Sequence, residues 1–149
     1  MAIVLPKFPR SGLSTRSQGS SSSGRVMIQL QGFQPGYMPG DQLNFQFQLQ
    51  DIETDKISAV ETSVVWHTEG KGNEDLGVHF FQRLTGEAIA GRDWSAPQPL
   101  STILPDAPLS YEGRLLKIRW CLRVRVYLLD GSELVAQEPF YLGTLTSEL

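Results

Sequence analysis

The sequence predicts an all-β domain built as a two-sheet antiparallel β-sandwich. Two stretches alternate apolar and polar residues with period two, and turn residues punctuate the chain at fairly regular intervals. No stretch sustains the 3.6-residue amphipathicity of a helix, so crossover helices between parallel strands are not expected. About seven short strands without such helices fit two antiparallel sheets packed face to face. A chain of 149 residues, 40% apolar and 19% charged, is globular in composition. At that length one domain buries roughly 68–70% of the surface that its unfolded chain exposes.

Residues 1–25 are expected to form a flexible tail. From Pro9 to Gly24 the chain reads PRSGLSTRSQGSSSSG, and Leu13 is the one large apolar residue there, which leaves little to bury. Arg10, Arg16, Arg25 and the serines are open to two readings, a docking or phosphorylation segment or a plain solvated linker.

The sandwich is expected over residues 26–149. Val26 to Leu30 is the first strand. Pro35-Gly36 and Pro39-Gly40-Asp41 follow as turns, with proline fixing φ and glycine tolerating its positive values. From Gln42 to Gln50, Leu43, Phe45, Phe47 and Leu49 share one phase, and Gln42, Asn44, Gln46, Gln48 and Gln50 the other. Asp51 to Lys56 is a charged turn. Ala59 to Thr68 places Val60, Val64 and Trp66 inward and Glu61, Ser63 and His67 outward, and the polar connection Thr68 to Asp75 leads to a strand at Leu76–Phe81.

Pro97, Pro99, Pro105 and Pro108 predict an irregular edge segment between Leu84 and Pro108, because proline withholds a ladder N–H. Leu115 to Leu129 is the strongest element, with Leu116, Ile118, Trp120, Leu122, Val124, Val126 and Leu128 in one phase. Asp130-Gly131 is a favoured hairpin dipeptide, and Leu134 to Leu142 returns with Phe140 and Leu142 inward.

Composition narrows function. A formal net charge of −3 gives no whole-molecule field that attracts nucleic acid. The single cysteine, Cys121, excludes an intrachain disulfide or a multi-cysteine zinc site, so the expected compartment is the cytoplasm. Met1 to Leu5 is too short for a signal-peptide core, and no later run reaches about 18 uncharged apolar residues.

Two motifs carry a resemblance. Pro108-Leu109-Ser110-Tyr111-Glu112-Gly113, followed by Ile118-Arg119-Trp120-Cys121-Leu122-Arg123-Val124-Arg125-Val126, resembles the strand entry of arrestin-like domains, a Pro-x-Ser-aromatic-x-Gly approach to a long alternating strand. Pro39-Gly40-Asp41-x-Leu43 is similar to the family's earlier Pro-Gly-Asp/Glu strand start, and the motifs occur in the family's order. Trp120 stands where the family usually has tyrosine. Full arrestins pair two such sandwiches, and this chain has room for one. The resemblance implies an arrestin-like, broadly immunoglobulin-like sandwich that acts as a protein-binding scaffold or adaptor.

Candidate chemistry is sparse. Lys117, Arg119, Arg123 and Arg125 share the polar phase of the long strand, with alternate residues about 6.6 Å apart on one face. Such a basic stripe suits an acidic or phosphorylated peptide, or anionic headgroups; alternatively, Glu133, Glu138 or other acids on neighbouring strands pair with it. If Arg119 and Arg123 bind a partner, their substitution by Glu abolishes binding and leaves the fold intact. His67, Glu69, Glu74, Asp75 and His79 gather around one hairpin and include metal-ligand types, without a recognised ligand spacing; a solvated loop flanked by surface histidines is the other reading.

Gly70-Lys71-Gly72 lacks the spacing and following helix of a phosphate loop. No G-x-S-x-G elbow occurs, and Cys121 has no histidine nearby in sequence, which favours a structural thiol. No catalytic residue, metal site or cofactor is assigned. The expectation is a non-enzymatic module that binds a protein partner through a sheet edge or the basic stripe. The alternatives are a metal-binding domain or metal-dependent enzyme at the His67/His79 hairpin, and a structural subunit of a larger assembly.

Overall fold

The computed structural model describes residues 16–18, 24–31, 36–72 and 74–143. Its strands are β1 (Arg16–Gln18), β2 (Arg25–Leu30), β3 (Gln42–Gln50), β4 (Ile57–Gly70), β5 (Leu76–Thr85), β6 (Gln98–Ile103), β7 (Tyr111–Glu112), β8 (Leu116–Leu128) and β9 (Glu133–Phe140). A short helix, α1 (Glu87–Ala90), lies between β5 and β6. They form two antiparallel sheets. The larger runs β1-β9-β8-β4-β5, with β7 pairing β8 at Lys117 and Ile118, beyond the stretch of β8 that β9 covers; the smaller runs β2-β3-β6.

Period two explains the core. Leu43, Phe45, Phe47 and Leu49 of β3 are all buried, and between them lie half-buried Asn44, Gln46 and Gln48. They meet the inward phase of the larger sheet, Val60 and Val64 of β4 and Trp120, Leu122, Val124 and Val126 of β8. Each buried Leu, Val or Phe side chain contributes about 1.5–3 kcal/mol relative to leaving it in water. The register Trp66↔Trp120, Val64↔Leu122, Thr62↔Val124 and Val60↔Val126 keeps that phase facing one way over most of the β4–β8 ladder.

The two motifs fasten loops. Gly40 has a φ of 87°, the Asp41 carboxylate accepts the Met38 N–H at 2.9 Å, and the Leu104 N–H donates to the Asp41 carbonyl at 2.9 Å. In the other motif the Trp120 indole N–H donates to the Pro108 carbonyl at 2.8 Å, and the Gly113 N–H donates to the Leu116 carbonyl at 2.9 Å. Ser110 ties the same loop to Leu142, which is fully buried as expected, and Phe140 packs against the core.

Several expectations change. Within the expected tail, Arg16–Gln18 forms a strand along β9, because that edge of the larger sheet offers unpaired backbone groups to an extended segment. Gly24 and Arg25 are described too, with Arg25 opening β2; the remainder of the tail, with Arg10 and Leu13, lies outside the described residues, as does Pro35. The Leu84–Pro108 segment is only partly irregular. It carries α1, the buried Trp94 and then β6, an edge strand whose Pro99 lies opposite Gln46. Trp94 anchors the irregular part: its indole N–H donates to the Ile89 carbonyl at 3.0 Å, and its own carbonyl accepts the Leu49 N–H at 2.8 Å. Leu116, expected inward, is exposed because it ends the ladder opposite Gly70, which brings no side chain against it.

Candidate functional site

The stripe on β8 lies on the outer face of the larger sheet, where side chains of β4 and β9 stand beside it. Across from β4 the pairs are Lys117↔Glu69, Arg119↔His67, Arg123↔Ser63 and Arg125↔Glu61; across from β9, Arg123 faces Gln137 and Arg125 faces Val135. Burial divides the stripe in two. The Lys117 and Arg119 side chains are 43% and 42% exposed, whereas Arg123 and Arg125 are 4% and 7% exposed.

The buried half is a charge network within the sheet. Arg125 Nη1 donates to the Tyr127 hydroxyl at 2.8 Å, and that hydroxyl donates to Glu61 Oε1 at 3.0 Å. Glu61 Oε2 accepts from Arg83 Nη1 at 2.7 Å, and Arg125 Nε lies 3.7 Å from Glu133 Oε2. Arg83 and Arg125 both sit over the Tyr127 ring, 5.4 and 5.6 Å from its centroid. Burial first, and the Arg125 charge second, bring the Arg123 guanidinium down to about 10, which leaves it charged at neutral pH. Burial also raises the Tyr127 hydroxyl.

The exposed half is paired as well. Arg119 lies 3.3 Å from Glu69 and 3.4 Å from Glu112, and Lys117 lies 3.8 Å from Glu112. Neighbouring acids therefore meet the stripe, with Glu133, Glu69 and Glu112 in that role and Glu61 linked to Arg125 through the Tyr127 hydroxyl. Glu138 does not share it, because it stands opposite Leu122 on the inward phase, where burial raises its carboxyl. Arg123 and Arg125 are buried in the single chain, so substitution of Arg123 by Glu, expected from the sequence to leave the fold intact, would place a carboxylate in a buried site that now holds a cation.

The hairpin histidines are not opposite one another. His67 faces Leu76, and its Nε2 lies 3.0 Å from Glu69 Oε1. His79 is the extra residue of a β-bulge opposite Val64/Val65. It turns to the other side of the sheet, where Nε2–H donates to the Ile103 carbonyl at 2.8 Å with the Thr102 hydroxyl at 3.1 Å, and its ring lies edge-on to Trp120. Among the described residues no group of three or more His, Cys, Asp or Glu is arranged to hold a metal ion. Cys121 is buried, and burial pushes its thiol up to about 12. A cleft of about 320 Å³ beside β3 and β6 is lined by Gln31, Asn44, Phe45, Pro99, Leu100 and Ser101, none of them titratable.

What the sequence reading missed is the apolar character of one end of the sandwich. Met38, Ile103, Leu109, Tyr111, Leu115 and Leu116 are all exposed there, Leu115 by 74%. The backbone stitches these loops together: Gly40 N–H donates to Leu104 O at 3.0 Å, Ser110 N–H to Leu142 O at 2.8 Å and Tyr37 N–H to Tyr141 O at 2.8 Å. A Cβ on Gly70 would collide with the Leu115 carbonyl, so the end of β4 and the β7–β8 turn lie in contact. The available signal was the Leu115-Leu116 doublet, which interrupts the alternation immediately after Gly113-Arg114.

No protein-family model matches the chain. No curated protein sequence matches it either. Among solved structures it is similar to Spo0M, the sporulation control protein from Bacillus subtilis, with a TM-score of 0.55 and 12% identity over 81% of this chain and 49% of that one. The chain thus spans about half the length of that protein. Among the described residues no helix is long and apolar enough to cross a membrane. At that level of identity the likeness concerns architecture alone, and together with the two antiparallel sheets it makes the fold an arrestin-like β-sandwich.

Proposed function

We propose that this chain is a non-enzymatic, cytoplasmic protein-interaction module of arrestin-like type, which holds a protein partner at its apolar loop end. The observation that carries this reading is the concentration of Met38, Ile103, Leu109, Tyr111, Leu115 and Leu116 as exposed side chains at one end of the sandwich. Contiguous apolar surface rimmed by polar residues marks interaction sites on soluble proteins, and Met, Tyr and Arg are enriched in such contacts. Arg119 and Lys117 adjoin this end and already pair with Glu69 and Glu112, so they fit the polar rim better than the centre of an interface. The non-enzymatic part is supported by engaged histidines, a buried cysteine and a cleft lined without titratable groups.

The test is affinity capture from lysate of the source cell, followed by titration of the captured protein against purified variants. Tyr111→Asp/Leu115→Asp should reduce its affinity at least about tenfold, because a few central aromatic and aliphatic contacts carry most interface energy. Arg119→Glu should change affinity by less than about tenfold, as expected of a rim charge. A partner that binds the loop variant as well as the wild type refutes the loop end as the contact.

A further inference from the structure

The sheet edges are guarded unequally. The smaller sheet ends on one side at β6, where Pro99 within the strand and Pro97 before it withhold ladder donors, and on the other at β2, which packs on β9. The larger sheet ends at the three-residue β1 and at β5. Among the described residues β5 pairs with β4 alone, runs for 10 residues and contains no proline. Its one charged side chain, Arg83, is held by Glu61. The bulge at His79 interrupts the half of β5 nearer the loop end, which leaves residues 80–85 as a regular open edge.

That half is self-complementary. We infer that two copies of this chain pair through β5, antiparallel about a twofold axis at Gln82, and join their larger sheets into one. In this register Phe81 faces Arg83 of the other copy, and Phe80 faces Leu84 of the other copy. The faces agree: Phe81 and Arg83 stand on the outer face, opposite Ser63 and Glu61 of β4, whereas Phe80 and Leu84 stand inward, opposite Val64 and Val60. Phe81 is exposed in the single copy, so the pairing covers its ring with the stem and guanidinium of Arg83. Moving the axis to Arg83 sets two guanidinium groups against each other, and moving it to Phe81 runs the cationic Arg83 against the bulged His79, where the axis at Gln82 brings only Thr85, at the end of the strand, to that bulge. A twofold contact of this kind uses the same patch on both copies and closes after two, so it yields a dimer rather than a fibre.

The experiment is sedimentation equilibrium over protein concentrations from roughly micromolar to roughly millimolar, the range of weak association. The wild type should rise from the monomer mass toward twice that value. Phe81→Lys sets like charges across the axis and should weaken association at least about tenfold, whereas Phe81→Glu supplies Arg83 with an opposite charge and should retain it. Both variants should keep the fold, because the Phe81 side chain is exposed in the single copy, and their thermal transitions check this. Gln82→Cys should form a reducible dimer on oxidation, since opposed residues on paired strands lie within disulfide reach, and buried Cys121 should not. A mass that stays monomeric throughout, an association equally weakened by Lys and Glu at 81, or failure of the cysteine to cross-link each overturns the inference.

Discussion

Ser110 and Leu142, 32 residues apart in the chain, hold each other by two hydrogen bonds: the Ser110 N–H donates to the Leu142 carbonyl at 2.8 Å, and the Leu142 N–H donates to the Ser110 hydroxyl at 2.8 Å. Both residues are buried. Ser110→Ala removes one acceptor and strands the Leu142 N–H, which should cost about 1–3 kcal/mol. Urea denaturation checks this. The midpoint should fall with an unchanged slope, because the surface exposed on unfolding stays the same.

A second test concerns close approach at β5. A Cβ on Gly77 would overlap the Trp66 indole, which lies opposite it in the ladder. Gly77→Ala should therefore destabilise the domain by about 1–3 kcal/mol, the range for overpacking. Gly91→Ala is the control, since a Cβ there meets the Glu87 carbonyl at an ordinary 3.6 Å. Thermal melts of the two variants should separate clearly.

The basic stripe yields a contrast between two arginines on one strand. Arg123→Glu should cost about 3–5 kcal/mol, the loss typical of breaking a buried charged arrangement. Arg119→Glu, in an exposed position among Glu69 and Glu112, should cost no more than about 1 kcal/mol. Chemical denaturation of each variant measures the difference, and equal losses would contradict the burial described for Arg123.

Cys121 supplies a pH dependence with a definite sign. Its folded thiol stands at about 12 against 9.0 as the ordinary value, so between those two values the unfolded chain releases a proton that the folded chain keeps. The thiol's contribution to stability is complete below pH 9 and declines as pH rises toward 12. The difference in stability between wild type and Cys121→Ala should shrink over that window. At pH 8 a thiol reagent should label the native protein far more slowly than the unfolded one.

Much of the architecture was legible. Gln42–Gln50 is β3 residue for residue, and its alternation is the alternation of burial. The long strand and the Asp130-Gly131 turn were equally visible: Gly131 takes a φ of 90°, and Asp130 caps the turn by accepting the Ser132 N–H at 2.8 Å. β1 was not legible, because three polar residues in a serine-rich stretch carry no periodic signal and are placed by the edge that they meet. The stripe's four residues do share one face of β8, but alternation alone gave no sign that Arg123 and Arg125 are buried there while Lys117 and Arg119 are exposed. Alternation assigns a residue to a face, and only its cross-strand neighbours decide whether that face sees water; at Arg123 those neighbours are Ser63 and Gln137, both buried. Leu115 and Leu116 were absorbed into a strong periodic run, although the sheet stops short of covering them.

The centre of β8 has a hydrogen-bonded strand on each side and buried side chains on both faces from Trp120 to Val126. Its amides thus sit behind every partial opening of the molecule. Opening of a loop or loss of β1 would not admit solvent to them, so their hydrogens should be the last to exchange, and only when the whole domain comes apart.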